Sequence, residues 1–161
     1  MIHTVYIALG SNIGDRELHL LRAVAELGKL PGSRITALSG FYETEPVGPP
    51  QDNFLNAALC LETPLEPAEL LARLQWIESE VFGRTREERW GPRRMDLDIL
   101  LFDDLVLDTP DLVIPHPRLH ERRFALVPLQ EIAPDAVHPG LCKKVGQLLR
   151  AAPDTGTVKK I

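Results

Sequence analysis

Asp96 and Asp98 stand two residues apart, directly after a stretch crowded with arginine. Five arginines fall between positions 84 and 94: Arg84, Arg86, Arg89, Arg93 and Arg94. If the residues after them form a strand, side chains at i and i+2 share one face of a sheet. The two Cα atoms then lie roughly 6.5–7 Å apart, from a rise of about 3.3 Å per residue. Carboxylates that close repel one another and call for a cation or a shifted pKa. Magnesium answers that need, because it takes a few carboxylates and completes its shell with phosphate oxygens and water. Arginine forks and magnesium together stabilise a transferring phosphoryl group. The residue types and spacing therefore point to a metal-assisted phosphate site.

The plainer alternative is a solvated charged loop leading into the polar face of an edge strand. Trp90-Gly91-Pro92 weighs against it, since Trp and Pro imply a packed loop of defined shape. The direct junction of arginines and paired carboxylates weighs against it too. The sequence holds no GxxxxGK[ST] loop and no GxGxxG. Gly10-Ser11-Asn12-Ile13-Gly14 contains glycine and opens a helix, but it fits neither pattern. Any ATP is held in another way than in P-loop enzymes or protein kinases.

The elements that must position these groups read as follows. Residues 2–9 form a strand that ends at Gly10-Ser11-Asn12. Asp15 caps a helix whose Leu18, Leu21, Val24, Ala25 and Leu27 recur at helical spacing, and Pro31-Gly32 stops it. A second strand runs over 35–42, and four Pro or Gly residues stiffen the loop 43–53. A third strand covers 54–62. Pro67 then opens a second helix with an apolar stripe of Leu70, Leu71, Leu74, Ile77 and Val81. After the charged loop 83–94 comes a fourth strand over 95–102. This order, βαββαβ, predicts an α+β, ferredoxin-like antiparallel sheet with helices on one face. The remaining third adds a short hairpin and helices near 123–132 and 144–151, as a C-terminal extension. No repeat, low-complexity tract or linker divides the chain, so 1–161 reads as one domain.

Composition bounds the function. The chain is 44% hydrophobic and 25% charged, as in globular proteins. Its formal net charge of -5 disfavours broad binding to nucleic acid or anionic membrane. Cys60 and Cys142 are the only cysteines and form neither a zinc motif nor a disulfide framework. Cys60, within an apolar run, is expected in the core. The N-terminus lacks the pattern of a signal peptide, and no apolar run reaches the ~20 residues that span a bilayer. The cytoplasm is the expected compartment.

Arg-Trp-Gly-Pro-Arg at 89–93, followed by Asp-x-Asp, resembles the 6-hydroxymethyl-7,8-dihydropterin pyrophosphokinase (HPPK) family of the folate pathway. Further segments resemble it in order and spacing: Gly10-Ser11-Asn12, residues 41–48, Phe54-Leu55-Asn56-Ala57-Ala58, Ile114-Pro115-His116-Pro117, Arg122-Arg123-Phe124 and residues 128–134. The likeness spans nearly the whole chain. It implies attack by the pterin hydroxymethyl oxygen on the β-phosphorus of ATP, with AMP leaving. It also implies two magnesium ions held by Asp96 and Asp98.

Further roles follow from the same resemblance. Arg93 and Arg84 contact the phosphates, and Arg86 helps to close a loop. Trp90, His116 and Arg122 lie on the ATP side, with Gln75 and Glu78 nearby. Phe54 and Phe124 sandwich the pterin, Asn56 reads its polar edge, Thr44 and Val47 add contacts, and Asp96 also faces this substrate. A monomer with small-molecule partners only, no nucleic acid and no membrane, is the implied form.

Two other readings compete. One is a ferredoxin-like ligand-binding module without catalysis, which would not need two metal carboxylates. The other is an RNA-binding sheet, which the acidic balance and the missing RNP1 aromatics disfavour.

Overall fold

The computed structural model describes residues 1–83, 92–153 and 156–161. Arg84, Arg86 and Trp90, for which roles are expected, and Arg89 and Gly91 fall outside the described residues.

The chain runs β1 (His3–Ser11), α1 (Arg16–Gly28), β2 (Arg34–Leu38), β3 (Tyr42–Thr44), β4 (Phe54–Thr63), α2 (Pro67–Trp76), a π turn (Ile77–Val81) and β5 (Asp96–Phe102). There follow β6 (Leu107–Asp108), β7 (Val113–Ile114), a 3-10 turn (Leu119–Glu121), α3 (Arg123–Ile132), β8 (Val137–His138), β9 (Lys143–Lys144), α4 (Val145–Ala151) and β10 (Val158–Lys160). The main sheet has the order β10-β3-β4-β1-β5, with β2 also paired to β4. All these pairs are antiparallel. Taking β2 and β3 as one strand gives the βαββαβ, ferredoxin-like α+β arrangement. β6–β7 and β8–β9 make two small hairpins in the C-terminal third.

Two expected boundaries differ. β1 does not end before Gly10-Ser11 but carries both, because Gly10 and Ser11 continue the ladder with Asn56 and Leu55. The strand expected over 35–42 is broken. Ser39 donates its N–H to the Ala58 carbonyl, and its hydroxyl accepts the Ala58 N–H at 2.9 Å. A side chain thus takes the place of a backbone acceptor, and the ladder splits into β2 and β3.

Helices cover both faces of the sheet, not one. Val5, Ile7 and Leu9 of β1 pack with Leu59, Leu61, Leu97 and Ile99 under Leu20, Ala23 and Leu27 of α1 and Leu70 and Leu74 of α2. On the other face, Ala58, Leu100 and Leu101 pack under Leu126 and Leu129 of α3 and Val145 and Leu148 of α4, with Tyr6 and Ala8 alongside. The small Ala8 and Ala58 let α3 lie close to the sheet. Cys60 is buried as expected.

Asp15 caps α1, its carboxylate accepting the Leu18 N–H at 3.1 Å. The buried stripe of α1 is Leu20, Ala23 and Leu27. Leu18 and Leu21, assigned to the apolar face by spacing, are 58% and 53% exposed. Of the stripe expected on the second helix, Leu70 and Leu74 of α2 and Ile77 of the π turn are buried, while Leu71 and Val81 are partly exposed. No helix among the described residues is long and apolar enough to cross a membrane.

Candidate active site

The site is built where α3 leaves one end of the sheet uncovered. Gly10 of the central strand β1 pairs with Asn56 of β4 on one side and with Asp96 of β5 on the other. Two residues back, Ala8 pairs with Ala58 and Asp98. Period-two alternation therefore sets Asp96, Asp98 and Asn56 around a floor of Gly10 and Ala8. Leu97, which alternates with the aspartates, is buried in the opposite core.

These residues line a cleft of about 730 Å³, its open mouth included. Asp96, Asp98, Arg93 and Arg122 lie on its wall with Phe54, Asn56, Phe124, Thr44 and Val47. Two aromatic rings, two aspartates and two guanidiniums from three chain segments thus meet in one cleft.

Asn56 is buried, and its amide nitrogen donates to the Thr44 hydroxyl at 2.6 Å. That bond fixes which way the amide faces. Gly10 is required beside it, because a Cβ there would stand 2.5 Å from the Asn56 carbonyl oxygen. Arg122, just before α3, has its guanidinium carbon 5.3 Å from the centre of the Phe124 ring. Burial draws the Arg122 pKa down, and the Asp98 and Asp96 carboxylates oppose that shift while Arg118 adds to it. Arg122 thus sits in the field of both aspartates and stays charged. Arg93 is buried, and both its backbone groups bond to Asn12.

The remaining expected residues lie elsewhere. His116 is half-buried after the cis Ile114–Pro115 bond, and its N–H donates to the Leu100 carbonyl of β5. It does not line the cleft. Burial, then Arg122 and Arg118, push its pKa down to about 4. The Arg118 N–H donates to His116 Nδ1 at 3.1 Å, so the neutral ring carries its proton on Nε2. Gln75 is exposed on α2 and also stands off the cleft wall. Glu78, on the π turn, is buried and accepts the Leu97 N–H at 2.8 Å. It grips the strand between the two aspartates.

Sequence reasoning missed three residues of this region. Glu45 lines the cleft, Gly10 makes room for Asn56, and Asn12 bonds to Arg93. By residue type the Gly-Ser-Asn triplet signalled a turn, and its likeness to the family assigned no role to Gly10 or Asn12.

Asp96 and Asp98 are the candidate metal ligands. Among the described residues no group of three or more His, Cys, Asp or Glu could hold an ion. Two carboxylates beside the buried Arg93 and the partly buried Arg122 suit magnesium that draws its other oxygens from phosphate and water.

The chain is similar to known proteins along most of its length. Residues 6–134 match the sequence profile of the 7,8-dihydro-6-hydroxymethylpterin-pyrophosphokinase family. A 2-amino-4-hydroxy-6-hydroxymethyldihydropteridine pyrophosphokinase from Bacillus subtilis is 54% identical over 133 residues, 82% of this chain and 79% of that one. The protein of that name from Pseudomonas aeruginosa is 43% identical over 97% of this chain and 96% of its own. The fold is similar to a Plasmodium falciparum HPPK-DHPS solved with pteroate. There the TM-score is 0.75 at 14% identity, over 94% of this chain and 44% of that one. The chain thus spans less than half the length of the solved structures it matches. With sequence likeness over most of the chain and the expected sheet beneath it, this protein belongs to the 7,8-dihydro-6-hydroxymethylpterin-pyrophosphokinase family.

Proposed function

We propose that this chain transfers a pyrophosphoryl group from ATP to the hydroxymethyl oxygen of 6-hydroxymethyl-7,8-dihydropterin, for folate biosynthesis. One observation carries the reading: Asp96 and Asp98 line the same cleft as Phe54, Asn56 and Phe124. A phosphate-chemistry pair and a slot for a flat heterocycle occupy one space. Residues 1–161 act as one domain and as a monomer in this reading, and sedimentation at the mass of one chain tests that.

The pterin lies between Phe54 and Phe124, since a flat ring binds well between aromatic faces. Asn56 offers both donor and acceptor to its amide-like edge. Thr44 holds Asn56 in that orientation, and Val47 closes the apolar side. On the nucleotide side, Arg93 and Arg122 face the phosphates. His116 offers a neutral Nε2–H donor from outside the cleft wall, Gln75 would meet only a nucleotide that extends beyond that wall, and Glu78, held on the Leu97 N–H, serves by anchoring β5. Arg84, Arg86 and Trp90 join from the segment ahead of Arg93.

Asp96 and Asp98 would hold magnesium, two ions in the full site. Bound there, magnesium would supply neutralisation of the triphosphate charge and a lower pKa for the pterin hydroxyl. In the transfer, the pterin oxygen bonds to the β-phosphorus. The bond from that phosphorus to the α–β bridging oxygen breaks, and its electron pair stays on AMP. The hydroxyl proton leaves to solvent. No protein nucleophile is needed: the side chains orient the two substrates and stabilise charge.

The test is incubation with ATP, magnesium and the hydroxymethyl pterin. AMP should form in step with pterin diphosphate. Formation of ADP, or no turnover by well-folded protein, would rule the reading out.

A further inference from the structure

Asn12 directly follows β1 and is 3% exposed. Its backbone N–H donates to the Arg93 carbonyl at 2.9 Å, and its side-chain oxygen accepts the Arg93 N–H at 2.8 Å. The same amide donates through Nδ2 to Gln51 Oε1 at 2.8 Å and to the Asp52 carbonyl at 2.9 Å. One buried side chain thus joins two segments that meet nowhere in sequence. Arg93 belongs to the phosphate side of the cleft, whereas residues 51–53 lead directly into Phe54 and Asn56 on the pterin side. Arg16, four residues on, strengthens the second arm through the Asn53 carbonyl and Glu43, both at 3.0 Å.

We infer that Asn12 is a positioning residue that sets the phosphate-binding Arg93 in register with the loop that opens the pterin slot. Only Asn serves. It needs an acceptor toward Arg93 and two donors toward 51–52 on one short side chain. Asp supplies the acceptor alone, and Ala supplies neither. The inference rests on the pyrophosphokinase reading, because it assigns the two arms to the two substrates of that reaction.

The test is steady-state kinetics of AMP formation for Asn12→Ala and Asn12→Asp, run well below each variant's melting temperature. In Asn12→Ala, kcat should fall by roughly tenfold to a hundredfold, the scale of a displaced reacting group. Asn12→Asp keeps the hold on Arg93. It should recover most of the lost kcat while the pterin KM stays raised, on the order of tenfold or more, the scale of losing the two hydrogen bonds to residues 51–52. A merely structural Asn12 would lower the melting temperature of both variants and leave kcat per folded molecule unchanged, and that result overturns the inference. So does Asn12→Asp with kcat no better than Asn12→Ala. If Asn12→Ala does not fold, Asn12→Asp is compared with the unchanged protein: a raised pterin KM supports the inference and an unaltered one overturns it. Failure of the unchanged protein to form AMP would instead remove the pyrophosphokinase reading, and this inference with it.

Discussion

The carboxylate of Glu78 accepts the backbone N–H of Leu97 at 2.8 Å, midway between the two aspartates of the cleft. Both partners are buried. The bond anchors the one stretch of β5 whose outward side chains face the site. Glu78→Ala leaves a buried N–H without this acceptor, which costs about 1–3 kcal/mol. Glu78→Gln keeps an oxygen in place and should restore most of that stability. Denaturant unfolding of the two variants checks this. Equal stability of Glu78→Ala and the unchanged protein would remove the anchoring role.

Gly10 makes a second prediction. A Cβ there would meet the Asn56 oxygen at 2.5 Å, and β1 and β4 are paired on both sides of the contact. Asn56 must therefore swing away in Gly10→Ala and lose its bond to Thr44. The pterin KM should rise by on the order of tenfold or more, as for a lost buried hydrogen bond and misplaced contact. The ATP KM should move much less. Matching KM changes for both substrates would contradict the assignment of Asn56 to the pterin.

Much of this arrangement was legible in the sequence. The alternation that set Asp96 and Asp98 on one face and Leu97 in the core holds in β5, because a strand's period of two is geometric. Asp15 and Pro67 marked helix starts because capping and proline chemistry are local. What could not be read depended on partners distant in the chain. Ser39 breaks its strand through Ala58, nineteen residues away. The second helical layer requires Ala8 and Ala58 to be small on a face that alternation alone calls only half-apolar. Glu78 turned inward because the end of α2 opens into a π turn, where Phe82 bonds back to Ile77. The extra residue shifts the helical phase that spacing arguments assume. Asn12 looked like an ordinary turn residue because both its partners lie far along the chain.

His116 gives a pH prediction. Its folded pKa is pushed down to about 4 by burial and then by Arg122 and Arg118. The unfolded value is about 6.5. Between those values the unfolded chain binds a proton that the folded chain refuses. Stability should therefore fall as pH drops from about 6.5 toward 4, and His116→Gln should flatten that part of the curve. NMR titration of the ring should show no protonation between pH 8 and 5. A midpoint near 6.5 would mean that the ring is neither desolvated nor facing the arginines.

The central claim is that the cleft moves two phosphoryl groups as a unit, by attack at the β-phosphorus. ATP labelled at the β-phosphorus tests it most directly. After turnover with magnesium and the hydroxymethyl pterin, the account predicts all transferred β-label in the pterin product and none in the nucleotide product, which is AMP. Label retained in ADP, with only the γ-phosphoryl group on the pterin, would contradict it.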